Sequence, residues 1–428
     1  MKHAHPLSRI SAAALALLLT LTGCGPKNRV ETFSGRTQPE VSLTFFGNKY
    51  EPGNVTVIEE ILTSFMLQDP NVSISYESLK GSAYYEALRK RMETGHGDDI
   101  FIVDHDTALA LSQEGLLQDL SGLDTISDLS APMLDQMEAG GQILWVPTTV
   151  SAFGLYCNLD LLKAHGQAVP ENLPEWERVC GYFVEQGIVP IVANNDISLK
   201  TLAIARGFYP LYQSGTQREV FRQLSRGEAA LSSYLTDGFS LVQRFIDRGY
   251  VDAEKALVTK KTSDDLAEFA RGESPFLLTG GWAANRVKEM EPGFAFTVVA
   301  YPVLDDGAVL VINPDTRMAV NAGSGHVEEA MAFVTHFTQR ENIQKFADDQ
   351  CSFSPLTGGA PSSAVEIQPL VDTYQAGRTV IGSDAYLQIP IWDLTADCAQ
   401  KLLAGEELEA VMIWLDSQLP AGGAAHEN

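Results

Sequence analysis

Residues 142–158, QILWVPTTVSAFGLYCN, contain the pattern that decides the fold. Residues 143–146 form an apolar run, Pro147 interrupts it, and residues 148–156 resume a β-forming pattern. A run this apolar predicts a strand buried on both faces. Because proline has no N–H for a central ladder, Pro147 indicates the place where the strand leaves one sheet and enters another. The segment therefore predicts a strand that crosses between two lobes.

The segments around it alternate between strand-like and helix-like patterns. Two helical patterns follow, separated by glycine and proline residues, and then the short apolar strand 188–192. Near the start, a strand from Val41 leads into helical apolar spacing over 55–67 and a strand at 72–76, which together form a parallel crossover unit. At 428 residues the chain exceeds what one hydrophobic core usually serves. We predict an α/β fold of two lobes, each a mostly parallel sheet flanked by helices.

Several motifs in this chain have counterparts in a known family. In chain order they are DDIFIVDHD (98–106), VPTTVSAFGLYCNLDLLKAHG (146–166), PEWERVCGYFVEQGIVPI (174–191), ARGESPFLLTGGW (270–282) and RMAVN (317–321). Their order and spacing resemble the extracellular solute-binding proteins of ABC importers, family 1, the maltose-binding-like group. The resemblance extends over residues 41–417.

This resemblance implies a periplasmic-binding-protein-like fold in which crossing hinge strands near Thr148 and Met318 join the lobes and a ligand binds in the cleft. The implied ranges are 41–148 with 303–345 for the N-terminal lobe, 149–302 with 346–417 for the C-terminal lobe, and 418–428 for a tail. The implied function is that of a monomeric receptor that delivers a carbohydrate to ABC permease subunits, with no catalytic residue, cofactor or metal. A non-sugar polar solute remains an alternative, although Lys49 is the only basic residue near the predicted cleft loops.

The composition argues against several other functions. The chain has 55 acidic and 30 basic side chains and a formal charge of −25, which would repel nucleic acid. It contains no G-x-S-x-G, H-E-x-x-H or Walker motif. A lipid-anchored glycoside hydrolase with a carboxylate pair remains the enzyme alternative. A structural or adhesive lipoprotein would need repeats or long β regions, and the sequence has neither.

The N-terminus resembles a bacterial lipoprotein signal. Lys2 and Arg9 precede a short apolar run at 10–21, and Leu21-Thr22-Gly23-Cys24 closes it, as in a lipobox. We expect residues 1–23 to be a signal peptide, Cys24 to be lipid-modified, and residues 24–40 to form a flexible tether on the outer face of a bacterial membrane. The alternative is ordinary secretion with an unmodified Cys24.

The other four cysteines, Cys157, Cys180, Cys351 and Cys398, match no zinc-ligand spacing. They allow either two disulfide bonds or four free buried thiols, and the sequence leaves both open.

The candidate ligand-binding side chains are polar or aromatic and follow predicted strands or lie in the family motifs. They are Asn48, Tyr50, Asp104, Asp106, Ser151, Asn195, Trp282 and Trp392. Ligands of open α/β sheets bind beyond the carboxyl ends of strands, and sugar rings stack on indoles while carboxylates and amides bind their hydroxyls. Six of them also have a structural alternative: the two aspartates could cap a helix, the two asparagines could shape loops, and the two tryptophans could belong to the core.

Overall fold

The computed structural model describes residues 39–139, 141–360 and 362–419. The predicted signal peptide, Cys24, the tether through residue 38 and residues 420–428 of the tail lie outside these described residues. Within the described ranges no helix is both long and apolar enough to cross a membrane.

Twelve strands are present in the described part of the chain. They are β1 (Val41–Gly47), β2 (Val72–Ser78), β3 (Ile100–Val103), β4 (Glu138–Ala139), β5 (Gln142–Ile143), β6 (Val146–Asn158), β7 (Ile191–Val192), β8 (Phe276–Gly280), β9 (Phe296–Val299), β10 (Tyr301–Leu304), β11 (Gly307–Val320) and β12 (Thr379–Ile381).

The α-helices of the described residues surround these strands. They are α1 (Pro52–Gln68), α2 (Ser82–Glu93), α3 (His105–Gln113), α4 (Ala131–Met137), α5 (Leu159–Ala164), α6 (Leu173–Glu185), α7 (Ile197–Ser214), α8 (Gln217–Ser225), α9 (Ser232–Asp247), α10 (Ala253–Val258), α11 (Asp264–Phe269), α12 (Ala284–Glu289), α13 (Val327–Phe337), α14 (Arg340–Asp349), α15 (Gln368–Gln375), α16 (Ile391–Leu403) and α17 (Leu408–Ser417).

The strands form a mixed sheet in the order β2-β1-β3-β11-β6-β8-β7. At its first edge β1 pairs in parallel with β2 and β3, as expected for strands connected by the helices α1 and α2. The long strands β11 and β6 are antiparallel to each other, and β11 is antiparallel to β3. At the far edge β6 pairs antiparallel with β8 and β9, whereas β7 and β8 are parallel. The predicted α/β class is confirmed.

Strands β6 and β11 run from one hydrophobic core to another. All 13 residues of β6 are buried. At one end of the pair Val146 lies opposite Met318, and both side chains belong to the core that contains Phe45 and Phe101. At the other end Phe153 lies opposite Val311, and both belong to the core that contains Trp176. The two strands therefore join two lobes, as Pro147 and the family resemblance predicted.

We call the lobe that contains β1–β3 the first lobe and the lobe that contains β7, β8 and α6–α10 the second lobe. The core of the second lobe includes Val303, Val309 and Val311, although the predicted N-terminal lobe resumed at residue 303. Only from about Met318 onward do the side chains of β11 pack in the first core. The exact ranges of the two lobes stay a prediction.

The prediction that residues 143–146 belong to one buried strand is wrong. Ile143 ends the short strand β5, which pairs with β4, and β6 begins only at Val146. Trp145 lies between them and its ring faces the guanidinium of Arg317, 4.3 Å from the ring centre. The indole thus packs against a cation instead of extending the strand, a contact that apolar patterning does not reveal.

The four cysteines outside the N-terminal region are free and buried. Of the two alternatives, disulfide bonds or free thiols, the structure shows free thiols at Cys157, Cys180, Cys351 and Cys398. Burial raises the pKa of the Cys351 thiol to about 11. A thiol with so high a pKa is a poor nucleophile, so Cys351 serves packing and not chemistry.

Candidate functional site

The crossing strands bring polar side chains from the middle of β6 and β11 together. The hydroxyl of Ser151, which is 3 % exposed, donates to the carboxylate of Asp315. Three residues earlier on β6, the Thr148 hydroxyl donates to the carbonyl of Thr316, the neighbour of Asp315 on β11, at 2.8 Å. These bonds fix the relative position of the two strands where the chain passes from one lobe to the other.

Asn48 follows β1 at its carboxyl end, where the sequence placed it. Its Nδ2 donates to the Tyr85 hydroxyl at 3.2 Å, but its Oδ1 is buried and has no hydrogen-bond partner. Burial and the nearby Asp104 carboxylate raise the pKa of Tyr85 well above its usual value, so its hydroxyl stays protonated. Tyr50 is half-buried, with the Lys80 ammonium 5.4 Å from its ring centre.

Asp104 and Asp106 differ in what their carboxylates do. Asp104 caps α3, accepting from the backbone N–H of Thr107 at 2.8 Å, so the capping alternative is realised for this residue. Asp106 accepts at Oδ2 from the backbone N–H of Asp393 in the second lobe at 3.3 Å, while its Oδ1 is buried without a partner. Burial first, and then the Asp393 and Asp104 carboxylates, raise the pKa of Asp106 to about 7.

Trp282 and Trp392 both pack against Phe153. Their ring centres are 5.1 Å and 5.2 Å from that of Phe153, and both indoles are only partly buried. The Trp282 ring covers the backbone of Gly280, where an added Cβ would lie 2.1 Å from the indole. The Lys200 ammonium lies 4.2 Å from the centre of the Trp392 ring. These contacts hold both rings in place while leaving part of each accessible.

Asn195 does not join this group through any contact of its side chain that the structure shows. Its Nδ2 donates to the carbonyl of Leu257 at 3.2 Å, which ties the start of α7 to the end of α10. The loop-shaping alternative fits this residue.

We call the remaining group, together with Phe153, the interlobe site. Its members are Asn48, Asp106, Ser151, Phe153, Trp282 and Trp392. Sequence reasoning did not select Phe153, nor did it select two side chains that contact members of the site, Asp315 at Ser151 and Tyr85 at Asn48. Phe153 follows Ser151 by two residues on one strand, so strand periodicity could have found it. Tyr85 and Asp315 carried no such signal, because only tertiary packing brings them near Asn48 and Ser151.

An ion pair beside the interlobe site connects the two lobes. The Glu51 carboxylate, at the N-terminus of α1, pairs with the Arg286 guanidinium on α12. Lys49 is close to this pair: burial lowers the pKa of its ammonium, although the Asp315 and Glu51 carboxylates act in the opposite direction. With the Asp106 contact, this ion pair joins the two lobes directly, and we call the arrangement in which they touch here closed.

A separate cavity of about 400 Å³ lies between the lobes on the side of α3. None of the eight predicted residues lines it. Its wall is made by His105, Ala108, Leu109, Ser112, Gln136, Met137, Leu144, Trp145, Arg222, Arg317, Ala385, Tyr386 and Gln388. We call it the arginine cavity, after Arg222 and Arg317.

Nowhere in the described ranges are three His, Cys, Asp or Glu side chains grouped so that they could hold a metal ion.

The interlobe site consists of aromatic faces, carboxylates and acceptor oxygens without a hydrogen-bond partner. This arrangement is suited to reversible binding.

Comparison with known proteins identifies the family of the chain. The family model of the bacterial extracellular solute-binding proteins matches residues 60–373, more than half of the chain. A multiple sugar-binding protein of Streptococcus mutans is 20% identical over 349 residues, which are 78% of this chain and 79% of that protein. A protein of Streptomyces antibioticus described as an uncharacterized lipoprotein is 22% identical over 357 residues, 79% of this chain and 74% of that one.

Solved structures show the same fold. The solute-binding protein RafE in complex with raffinose superposes with a TM-score of 0.70 at 21% identity, covering 89% of this chain and 98% of that one. The multiple sugar-binding protein and RafE are binding proteins and not enzymes. The chain belongs to the family of bacterial extracellular solute-binding proteins and is a binding protein rather than an enzyme.

Proposed function

We propose that the protein captures a carbohydrate at the interlobe site and delivers it to the permease of an ABC importer. The observation that carries this proposal is the combination of two partly exposed indoles around Phe153 with two buried acceptor atoms, Asn48 Oδ1 and Asp106 Oδ1, that have no partner. Buried polar atoms are nearly always hydrogen-bonded in native proteins. Two such atoms in one interlobe site therefore call for a ligand that supplies donors.

A sugar meets both requirements of this site. The C–H face of a pyranose ring packs on an indole, and the hydroxyl groups at the ring edge donate to carboxylate and amide oxygens. The multiple sugar-binding protein among the relatives and the raffinose complex among the solved structures support an oligosaccharide as the ligand class. Asp106 and Trp392 come from different lobes. A sugar that binds to both side chains would therefore contact both lobes.

Closure around the sugar is the proposed signal to the permease. A ligand that contacts both lobes binds the closed arrangement better than an open one, and the population shifts by no more than that difference in affinity. The closed monomer would then dock on the permease, which a separate ATPase drives.

A lipid on Cys24 would keep the receptor at the outer face of the membrane. The lipobox-like LTGC and the lipoprotein description of the Streptomyces relative support this part of the proposal. In the producing bacterium, Cys24→Ser should move the protein from the membrane fraction to the soluble fraction, because no acyl chain would be attached. Retention of the Cys24→Ser protein in the membrane would contradict lipid anchoring.

Calorimetric titration of the soluble chain with raffinose, stachyose, maltose and their monosaccharides tests the carbohydrate assignment. We expect at least one sugar to bind, and Trp282→Ala or Trp392→Ala to weaken it by about 30-fold or more, as for a buried aromatic anchor worth about 2 kcal/mol.

Trp414→Ala is the matched control. Trp414 is also a partly buried indole, with the Lys401 ammonium 4.9 Å from its ring centre, but it lies on α17, away from the interlobe site. Equal losses in all three variants would point to unfolding and not to a sugar contact. If none of the sugars binds, the carbohydrate assignment is wrong, while membership of the solute-binding family stands.

A further inference from the structure

The arginine cavity is a second interlobe space with its own chemistry. Its volume of about 400 Å³ is in the usual range for pockets that hold small molecules. One face of α3 and residues of α4 form the wall on the first lobe, and Arg222 of α8 with the segment 385–388 forms the wall on the second lobe. The aromatic rings Trp282 and Trp392 of the interlobe site do not line it.

The guanidinium of Arg317 is buried in the wall of this cavity without an ionic partner. Arg317 is 2 % exposed, and its Nε and Nη2 donate to the Pro314 carbonyl at 3.0 Å and the Ser383 hydroxyl at 3.2 Å. Among the described residues no carboxylate lies within ion-pair distance of it. Burial lowers the pKa of Arg317 to about 10, so the side chain still carries its charge at neutral pH. The carboxylates of Asp315, Asp104 and Asp106 offset this burial in part from beyond ion-pair distance. A partner of opposite charge in direct contact would stabilise the buried guanidinium further.

Arg222 contributes a second guanidinium at the mouth of the cavity. Its side chain is exposed, lies 4.8 Å from the centre of the Tyr386 ring, and has no carboxylate partner within the described ranges. The cavity lining thus contains two arginines and no Asp or Glu. In a chain with 55 acidic and 30 basic residues this is the opposite of the general charge balance.

The other side chains of the lining do not alter this positive character. His105 Nε2 bonds the carbonyl of Leu387 at 3.0 Å, and burial together with Arg317 lowers its pKa to about 3, so the ring is neutral. Leu109, Met137 and Leu144 supply an apolar wall. The cavity therefore offers a fixed guanidinium, a second one at the entrance, and an apolar surface between them.

We propose that the arginine cavity binds the carboxylate group of a small organic acid. A guanidinium presents paired N–H donors that match the two oxygens of a carboxylate, and the apolar wall would cover the body of the acid. The acid is either a free organic acid or the uronic acid unit of a sugar, which carry the same group. The proposal goes beyond sugar capture at the interlobe site and does not depend on it.

Calorimetric titration of the folded chain, from Gly25 onward, with succinate and with galacturonate tests this site. Butane-1,4-diol and galactose serve as probes of similar size without a carboxylate. We expect at least one acid to bind and both neutral probes to fail. Binding of succinate would identify a site for free organic acids, and binding of galacturonate alone would identify one for acidic sugars.

Arg222→Gln and its control locate the binding. Because Arg222 is exposed, we expect Arg222→Gln to fold normally and to weaken acid binding about tenfold, the loss expected for one charge-assisted contact. Arg226→Gln removes the same charge from the exposed end of α8, outside the cavity lining, and should leave acid binding unchanged. Arg317→Lys keeps the charge but loses the planar fork, and should also weaken binding.

Absence of binding by both acids at millimolar concentration would overturn the proposal. So would equal losses in Arg222→Gln and Arg226→Gln, because they would show a general charge effect. Titration of Arg222→Gln with raffinose distinguishes sugar binding from acid binding. Raffinose binding that persists in this variant belongs to the interlobe site, whether or not the acids bind to the arginine cavity.

Discussion

At the scale of single residues, Asp106 is the side chain whose environment differs most from what its position in the sequence suggests. It lies in the first turn of α3, where an acidic residue usually stabilises the helix dipole. Its carboxylate instead reaches the other lobe, at the backbone N–H of Asp393, and has one oxygen buried without a partner. Carboxylates close by and the loss of water make the ionised form unfavourable, which is why the pKa of Asp106 rises to about 7.

This pKa predicts how stability depends on pH. Because the native state holds the Asp106 proton more tightly than the unfolded chain does, stability should fall as the pH rises from about 4 to about 7 and should not change further above that. Asp106→Asn imitates the protonated form, so it should be nearly as stable as the wild type below about pH 4, and its advantage over the wild type should grow between about pH 4 and about pH 7 and stay constant above that. Urea unfolding of both proteins across this range measures the difference.

Asp393→Asn tests whether the Asp393 carboxylate contributes to the raised pKa of Asp106. Removing that neighbouring negative charge should lower the pKa of Asp106 and move the fall in stability to lower pH. A stability difference between wild type and Asp106→Asn that is constant from about pH 5 to about pH 8 would show that Asp106 does not titrate in this range.

Much of the site could be predicted at the residue scale, because short-range chemistry determines it. Asn48, Asp104 and Asp106 follow strands at their carboxyl ends, and Trp282 follows two glycines, so local patterns placed them correctly in the chain. The same patterns do not show that the Asp104 carboxylate caps a helix whereas the Asp106 carboxylate contacts the other lobe. That distinction depends on Asp393, which lies 287 residues further along the chain.

At the scale of elements, the end of β8 sets the position of the Trp282 ring. The backbone of Gly280 lies directly under the indole, so any side chain there would occupy the space of the ring. Trp282 is thus held by a neighbour that has no side chain, and by the edge of Phe153.

Gly280→Ala should displace the indole and weaken sugar binding about as much as Trp282→Ala, while the fold persists because a side chain can rotate away more easily than backbone. Gly281→Ala is the matched control: an added Cβ there would meet its nearest atom, of Leu370, at 3.4 Å, an ordinary contact. Tryptophan fluorescence and sugar titration of both variants test this. Full sugar affinity in Gly280→Ala would show that the ring position does not depend on Gly280.

Helices α7 and α9 cross in the second lobe at glycines on each helix. A Cβ at Gly238 would lie 2.1 Å from the Ala203 carbonyl oxygen, and one at Gly207 would lie 2.7 Å from that of Tyr234. Backbone on both sides leaves no room for a rotation that would relieve the clash. The absence of two side chains therefore sets how closely these helices approach.

Gly238→Ala should destabilise the protein by roughly 1–3 kcal/mol or more, the range for inserting a group into a packed core. Gly181→Ala, also inside a helix, would meet only the Tyr250 hydroxyl at 3.5 Å. It should stabilise the protein by about 0.5–1 kcal/mol, because alanine favours the helix. Urea unfolding separates the two, and equal effects of both substitutions would contradict the packing argument.

At the scale of the whole molecule, the sequence predicted the order of the elements better than their long-range partners. Pro147 and the apolar pattern around it indicated a strand between lobes, and β6 is that strand. Its pairing with β11 joins residues more than 150 positions apart, such as Phe153 with Val311, and no local pattern specifies that register. The contact between the Arg317 guanidinium and the ring of Trp145, which lies between β5 and β6, is of the same long-range kind.

The ion pair between Glu51 and Arg286 is the long-range contact with the clearest consequence for function. Both side chains are about one fifth exposed, and they come from different lobes, so the pair exists only while the lobes are closed. Arg286→Gln should raise the population of open molecules and increase the radius of gyration without ligand in X-ray scattering. Sugar affinity should fall about fivefold, as expected for a partly exposed pair worth about 1 kcal/mol.

Lys345→Gln is the control, because its pair with Glu60 is exposed and lies within the first lobe, between α14 and α1. It should change neither the radius of gyration nor the affinity. In the double variant Glu51→Gln with Arg286→Gln, the loss should be smaller than the sum of the two single losses, since both remove one interaction. Unchanged scattering in Arg286→Gln, or additive losses, would mean that the ion pair forms without holding the lobes together, and that closure depends on the bound ligand and on the Asp106 contact alone.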